Sequence, residues 1–549
     1  MKKYNPENRI IVLIFAFVLL GLLIWGRFFY LSVILHDYYT AKAKNINDNS
    51  GVVIPRGSIF LTDKNNLPYA AALNKEFSFI YAVPQEVSDP TELAKKLAPI
   101  LELDESVLTQ KLSKKDDPYE ILKRKVSDTT VEAIKALKEK ALGVDSETLR
   151  YYPEGLHLSQ VIGFLGFNKN GQAGQYGLEE YYDEELSGLF SSADLILTID
   201  SAIQVKAGTL LVDAVKEWGA DSGSIIVMNP KNGALLAMAS FPEFDANSYS
   251  AVSDKNIFMN PATLKRYEPG SVFKPLTMSI GIETGAVTPE TEYYNTGSVK
   301  VADRIMSNSI PDKILGWQTM TMVLEQSLNT GAVFVQQKIP KDVFLKYLKN
   351  FGVDSKTGID VSEMPGDISP LLTGRDVNFA TASFGQGVAV TPVELLRALS
   401  AVTNGGKLIQ PHLVSKIVFR DGNSREFKET SQTQIISPET SAKVVNMLVK
   451  VIENGSGRRA QIKGYTIAGK TGTAQIPDLK NGGYLDENIH TFVAFAPAYD
   501  PKFIALIKLD SPKGSQFSES TVVPVFKNLA QFIFSYLEIP PDKPVEQQP

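Results

Sequence analysis

Apolar residues are densest at the N-terminus. Ile10 to Gly26 runs without a charge, Arg27 interrupts, and Phe28 to Leu35 is apolar again, which is enough to cross a bilayer core as one helix. Lys2, Lys3 and Arg9 precede it, so the positive-inside rule leaves residues 1–9 in the cytoplasm and sends the remainder outside. The run exceeds a signal-peptide core and no small-x-small cleavage site closes it, so residues 10–35 are expected to be an uncleaved anchor rather than a removed signal.

Beyond the anchor the periodicity shortens. From Asp37 to about Ser191 short strands alternate with charged helices, the amphipathic stretches Pro90–Leu101 and Thr129–Lys140 among them, and residues 36–192 read as a pedestal or partner-binding module. The basic run Lys111, Lys114, Lys115, Lys123, Arg124 and Lys125 is interleaved with Asp116, Asp117 and Glu120, the pattern of a solvated face. At Leu195 a strand end leads into a helix, and SGSIIVMNP and GALLAMAS follow as two strands joined at Pro230-Lys231-Asn232-Gly233, an Asn-Gly hairpin turn. Helical patterns then occupy Ser271–Gly285, Met320–Gln337 and Thr391–Asn404. Strands return over Gly464–Gln475 and His490–Leu509, and an amphipathic helix closes at Val522–Leu537. This order predicts an α/β (α+β) domain over 193–539, with one antiparallel sheet assembled from both ends of the segment and helices between. The Pro- and Gln-rich tail 540–549 is expected to be disordered.

Composition narrows the chemistry. A chain of 549 residues, 44% of them hydrophobic, supports two or three domains. The formal charge of -5, from 56 basic and 61 acidic residues, gives no footprint for a nucleic-acid partner. With no cysteine there is neither disulfide nor thiolate nucleophile, and a metal site loses its soft ligand. Oxygen nucleophiles remain.

One is well placed. In YEPGSVFKPLTM a Pro-Gly turn opens a periodic segment, with Ser271 near its start and Lys274 three residues on; at that spacing hydroxyl and amine share one helix face. Burial beside a second cation favours the neutral amine, which can take the serine proton. The helix N-terminus also offers N–H groups to a developing oxyanion. S-x-x-K alone is a common chance pattern. LEQSLNTG adds Ser327 and Asn329, which alone read equally as helix caps, and GYTIAGKTGTAQ adds Lys470, Thr471, Gly472 and Thr473, alone an ordinary strand. In the order S-x-x-K, S-x-N, K-T-G they match the set of penicillin-binding proteins and class A β-lactamases. A Ser-His-Asp site finds no support: of four histidines, His36 adjoins the anchor, His157 lies in the pedestal, and His412 and His490 have no triad setting. His490 reads as a strand-edge residue after the KTGT loop.

The match extends beyond the triplets. RGSIF at Arg56, RYYPEG at Arg150 and GQYGLEEYYDEELSG at Gly174 resemble pedestal motifs of the class B penicillin-binding proteins, the monofunctional peptidoglycan D,D-transpeptidases. MNPKNGALLAMASFPEFDAN, SFGQGVAVTPVEL and FVAFAPAYDP resemble blocks of their catalytic domain. The resemblance spans Arg56 to Leu537, and FLKYLKNFGVDSKTGIDVSEMPGD is similar to the division (septal) branch, with MPGD where LPGE is more usual.

The resemblance implies the penicillin-binding transpeptidase fold, an antiparallel sheet flanked by helices with a helical subdomain, preceded by an elongated α+β pedestal and one membrane helix. It implies Ser271 as nucleophile, Lys274 as base, and Ser327 and Asn329 as proton relay and substrate holders. Lys470 would set the electrostatics, Thr471, Gly472 and Thr473 would bind substrate, and the N–H groups of Ser271 and Thr473 would form the oxyanion hole. Implied partners are stem peptides ending in D-Ala-D-Ala as donors, an amine acceptor, β-lactams, the lipid bilayer, a membrane glycan polymerase and divisome proteins; no cofactor or metal is implied. The chain would sit in the bacterial cell membrane as a single-pass protein with its bulk outside. A D,D-carboxypeptidase, an elongation-type transpeptidase, a β-lactam sensor and a silent scaffold remain alternatives.

Overall fold

The computed structural model describes residues 6–34, 56–115, 117, 119–153, 155, 157–168, 171–188, 192–310, 314–427, 432–478 and 480–544. The apolar segment is helix α1 (Pro6–Phe29), continued by a π-helical turn over Tyr30–Ile34. Within it Phe15–Val33 has the length and composition of a membrane span, and none of it is buried. The rest of the chain divides inside two long strands. β1 (Ile59–Thr62) and the start of β2 (Pro68–Ala82) belong to the second of two compact units, and the chain passes to the first unit between Leu73 and Asn74.

The first unit takes in Asn74–Leu149 and Ser187–Ser192 together with the N-terminal segment. Helices α2 (Pro90–Leu101) and α3 (Glu105–Leu112), strand β3 (Glu120–Val126), helix α4 (Asp128–Ala136) and strand β4 (Leu142–Tyr151) follow in order. Both predicted amphipathic stretches are helices here. Asp89 caps α2 by accepting from the N–H groups of Thr91 and Glu92, satisfying donors the helix leaves open. Leu93, Leu97, Leu101, Leu108, Leu122 and Ile134 close the unit's core. The basic run lies on the surface in local ion pairs, Lys111 and Lys114 with Glu120 and Lys123 with Glu102, as its interleaved charges predict; Asp116 lies outside the described residues.

The second unit holds Gly57–Leu73, Arg150–Leu186 and everything from Ala193. β1 lies parallel to β5 (Ala193–Asp200) and antiparallel to β2. The close approach is possible because residue 57 is glycine: a Cβ there would stand 1.9 Å from the Ala193 carbonyl oxygen. The three pedestal-like motifs meet at this point. Arg150 Nε donates to Glu179 Oε1 at 2.7 Å, Arg150 Nη1 to the Gly57 carbonyl at 2.8 Å, and Tyr152 OH to Glu179 Oε1 at 3.1 Å, all of them buried. A buried cation is tolerated only with such partners.

After β5 come α5 (Ser201–Trp218) and the hairpin β6 (Ser222–Met228) and β7 (Leu235–Phe241), whose turn places Gly233 at φ 81°, a left-handed conformation that costs glycine least. The helical middle starts with α6 (Lys274–Glu283), in which every residue from Lys274 to Ile282 is buried. Two short strands, β8 (Glu292–Asn295) and β9 (Gly316–Thr319), lead to α7 (Met320–Glu325) and α8 (Asn329–Gln337), and α9 (Pro392–Thr403) follows. The helical stretch expected over Met320–Gln337 is two helices, and Ser327 sits in the connection between them at φ 57°. β10 (Val414–Phe419) pairs with β5, and α10 (Pro438–Asn454) leads to the last three strands, β11 (Ala468–Pro477), β12 (Tyr484–Ala496) and β13 (Phe503–Asp510), before α11 (Ser518–Tyr536).

The main sheet runs β11-β12-β13-β6-β7, antiparallel throughout, so it is built from both ends of the segment as the pattern predicts. One face packs Phe492, Phe503 and Ile225 against Leu211 of α5 and Phe526 and Leu529 of α11. The other packs Val493, Leu506 and Ile226 against the helical middle through Phe273, Leu276 and Leu448. His490 departs from expectation: β12 begins six residues earlier and is flanked by β11 and β13, so this histidine is interior and buried, its Nδ1 2.8 Å from Thr521 Oγ1. The tail departs in part as well. The Thr466 N–H donates to Asp542 Oδ1 at 2.7 Å and the N–H groups of Asp542 and Lys543 donate to the Gly464 carbonyl, which holds this stretch in place; residues 545–549 lie outside the described residues.

Candidate active site

Four chain segments converge on Ser271. It lies in a 3-10 turn, Gly270–Phe273, directly before α6, and Gly270 makes the turn possible at φ 58° while its N–H donates to the Gly385 carbonyl at 3.0 Å. Lys274 is the first residue of α6, one turn on, and its Nζ lies 3.0 Å from Ser271 Oγ. The break between α7 and α8 turns Ser327 inward, so that Lys274 Nζ donates to the Ser327 carbonyl at 2.5 Å and reaches its Oγ at 3.2 Å. A left-handed non-glycine residue costs of order 1–3 kcal/mol and persists where its surroundings fix it.

The fourth segment is the edge strand β11. Lys470 points to the helical side and its Nζ donates to Ser327 Oγ at 3.0 Å, so both lysines reach one hydroxyl. Gly472 lets the strand press against the turn: a Cβ there would stand 3.0 Å from the Pro269 carbonyl oxygen and 3.2 Å from the Val272 nitrogen. Thr473 follows beside Gly270, whose own added Cβ would lie 3.3 Å from the Thr473 carbonyl. Thr471 Oγ1 shares a 2.6 Å hydrogen bond with Ser456 Oγ, and Thr473 Oγ1 accepts from the Ser518 N–H at 3.2 Å.

Electrostatics follow from burial. Both lysines are 1% exposed. Burial, with the Lys470 ammonium adding repulsion, holds Lys274 well below the ordinary lysine range; burial pushes Lys470 down to about 7. Desolvation penalises each charge, and a like charge on the same hydroxyl penalises the second further. The cluster can therefore hold one neutral amine against a serine hydroxyl, the arrangement that activates an oxygen nucleophile.

Two cavities meet at Ser271. One, of about 300 Å³, is lined by Ser271, Ser327, Ser456, Thr471 and Thr473. The other, of about 480 Å³, is lined by Ser271, Asn329, Gln386, Thr473 and Gln475. Asn329 opens α8, and its Nδ2 donates to the Ser307 carbonyl at 2.9 Å. The eight residues singled out in the sequence thus lie in one cleft or on the strand that walls it. Ser456, Ser518 and Asn308 went unrecognised: they come from a loop, a helix start and a short hairpin without a motif. Gln386 lay within SFGQG, read as a family block but not as part of the site.

The chain matches the family model "Penicillin binding protein transpeptidase domain" over residues 223–531 and the "Penicillin-binding Protein dimerisation domain" over 52–193. It is 33% identical to stage V sporulation protein D of Bacillus subtilis, with 98% of this chain and 87% of that protein covered. The chain belongs to the class B penicillin-binding proteins. Among the relatives of this penicillin-binding protein, the probable peptidoglycan D,D-transpeptidase PenA of Neisseria gonorrhoeae is 26% identical, covering 99% of this chain and 95% of that one. Its fold is that of solved penicillin-binding proteins. Protein 2X of Streptococcus thermophilus superposes with a TM-score of 0.73 at 24% identity, covering 89% of this chain and 81% of the other. Protein 3 of Mycobacterium tuberculosis, solved with aztreonam, gives 0.70 at 24% identity, covering 90% and 99%.

Proposed function

We propose that this penicillin-binding protein is a serine D,D-transpeptidase that cross-links peptidoglycan stem peptides through an acyl-enzyme on Ser271. The observation that carries the reading is the 3.0 Å contact between Lys274 Nζ and Ser271 Oγ, with Ser327 Oγ joining Lys274 to Lys470. Neutral Lys274 accepts the Ser271 proton as Oγ attacks the carbonyl between the two terminal D-alanines. The oxyanion takes hydrogen bonds from the N–H groups of Ser271 and Thr473. As the peptide C–N bond breaks, the departing D-alanine amine receives the proton through Ser327, leaving an ester on Ser271. Thr471 and Thr473 hold the terminal carboxylate, with the partial charge of Lys470 behind them, and Asn329 holds the donor amide. An amine of a second stem peptide then attacks the ester, the C–O bond breaks, and the proton returns to Ser271 Oγ. β-Lactams, which resemble the donor, acylate the same oxygen.

The wider organisation is part of the proposal. Residues 10–35 anchor the chain in the cell membrane, 36–192 form the pedestal and 193–539 the catalytic domain, with a membrane glycan polymerase and divisome proteins as partners in septal wall synthesis. The matched dimerisation and transpeptidase models support the division into pedestal and catalytic domain, and the names of the relatives support a place in wall synthesis. Product analysis tests the transfer step: with donor, amine acceptor and partner proteins present, cross-linked dimers are expected. Shortened stem peptides alone would identify a carboxypeptidase instead.

A further inference from the structure

Beside the cleft, two large aromatic rings face solvent. Tyr294 on β8 is 58% exposed and Trp317 on β9 is 66% exposed. They are directly opposed in the antiparallel register, with ring centroids 5.5 Å apart at an interplanar angle of 81°. The ribbon alternates inward and outward as strands do. Its inward side is fixed: Tyr293 is buried, stacks on Phe334 at 5.4 Å and shares a 3.1 Å hydrogen bond with Thr330 of α8. The ribbon that carries the outward rings is therefore anchored to α8.

The ribbon is also tied to the cleft wall. Asn295, next to Tyr294, accepts from Asn308 Nδ2 at 3.1 Å and from Thr330 Oγ1 at 2.9 Å, and Asn308 lines the cavity that contains Ser271. A cross-strand aromatic pair strengthens a short ribbon by roughly 0.2–1 kcal/mol, but a β-branched pair would serve that purpose without exposing two π-faces. Tyr and Trp instead combine a flat apolar face with a polar edge, the combination found where one side of a ligand is apolar and the other wet.

We propose that Tyr294 and Trp317 form a carbohydrate platform for the glycan strand whose stem peptide enters the cleft, an inference that rests on the transpeptidase reading for the identity of its ligand. The pyranose rings of a β-linked N-acetylhexosamine strand present axial C–H groups that pack on the negative face of an aromatic ring. A stem peptide engaged at Ser271 by its far end keeps its sugar end outside the cleft. Extended residues of about 3.3–3.6 Å each place that sugar on the order of 10–15 Å from the scissile bond, past the wall to which the ribbon is bonded.

The test uses the full chain in detergent and calorimetric titration with the β-1,4-linked tetramer of N-acetylglucosamine and with peptide-free glycan strands. Saturable binding is expected, weakened at least tenfold in Trp317→Val and in Tyr294→Val, both strand-compatible replacements, and kept within threefold in Trp317→Phe. Acylation by a fluorescent penicillin is expected to stay within twofold in all three variants. Wild-type binding retained in both valine variants would overturn the platform, as would a wild-type chain that is acylated normally yet binds neither glycan. A wild-type chain that binds glycan but is not acylated at Ser271 would instead sink the transpeptidase reading and leave the platform standing as a glycan site.

Discussion

At the floor of the cleft two lysines reach the same serine hydroxyl, and each changes what the other can do. Burial first, and the Lys470 ammonium after it, depress Lys274, so the charge on Lys470 adds to the preference of the neighbouring amine for its neutral form. The sign is definite. Acylation should rise with pH as Lys274 loses its proton and fall as Lys470 loses its own, near 7, giving a bell-shaped profile of macroscopic values for the pair. In Lys470→Met the repulsion is gone, Lys274 moves back toward the ordinary lysine range, and the rising limb of the acylation profile should shift to higher pH. Stopped-flow acylation by a chromogenic cephalosporin reads this directly; a rising limb that stays in place would mean that Lys470 exerts no such influence. At this scale S-x-x-K, S-x-N and K-T-G were legible from residue type and spacing. Ser456 and Ser518 were not, because a hydroxyl that meets Thr471 or Thr473 only through the fold leaves no local pattern.

Elements bring these residues together through close approaches that tolerate little added volume. Strand β11 meets the turn before α6 at Gly472, and a methyl group there would press on the Pro269 carbonyl and the Val272 nitrogen. Gly472→Ala should cost about 1–3 kcal/mol of stability as overpacking and reduce penicillin acylation at least tenfold by parting Thr473 from Ser271. An acylation rate equal to wild type would contradict the role given to this approach. Where the three pedestal-like motifs meet, the Arg150–Glu179 pair is buried with the Gly57 carbonyl as a further acceptor. Glu179→Ala strands a buried guanidinium, and a loss of about 3–5 kcal/mol in chemical denaturation is expected; a loss under about 1 kcal/mol would show that the pair is dispensable. The long elements were readable because their periodicity exceeds the noise of single residues. The break at Ser327 was only partly legible: a cap reading of Ser327 and Asn329 allows it, but LEQSLNTG has neither proline nor glycine before the turn and its helical pattern continues across it. The four-residue strands β8 and β9 are too short to show alternation, and His490 looked like an edge residue because the strand's polar first half, Tyr484 to Asn488, reads as loop.

Over the whole chain, the main sheet takes β6 and β7 from the start of the catalytic segment and β11 to β13 from its end, so residues some two hundred positions apart converge on one cleft. That closure was inferable from strand order, whereas the division of the chain inside β2 and β4 was not, because it is made by pairing partners rather than composition. The apolar helix α1 gives a further expectation: carbonate washing should leave the intact chain in the membrane pellet and release a chain lacking residues 10–35. An intact chain found in the wash would contradict an anchor. The most direct measurement of the central claim is intact mass and peptide mapping after exposure to a fluorescent penicillin. One adduct per chain, on the peptide carrying Ser271 and absent from Ser271→Ala, is the expected result; an adduct on another residue, or undiminished labelling of Ser271→Ala, would contradict it.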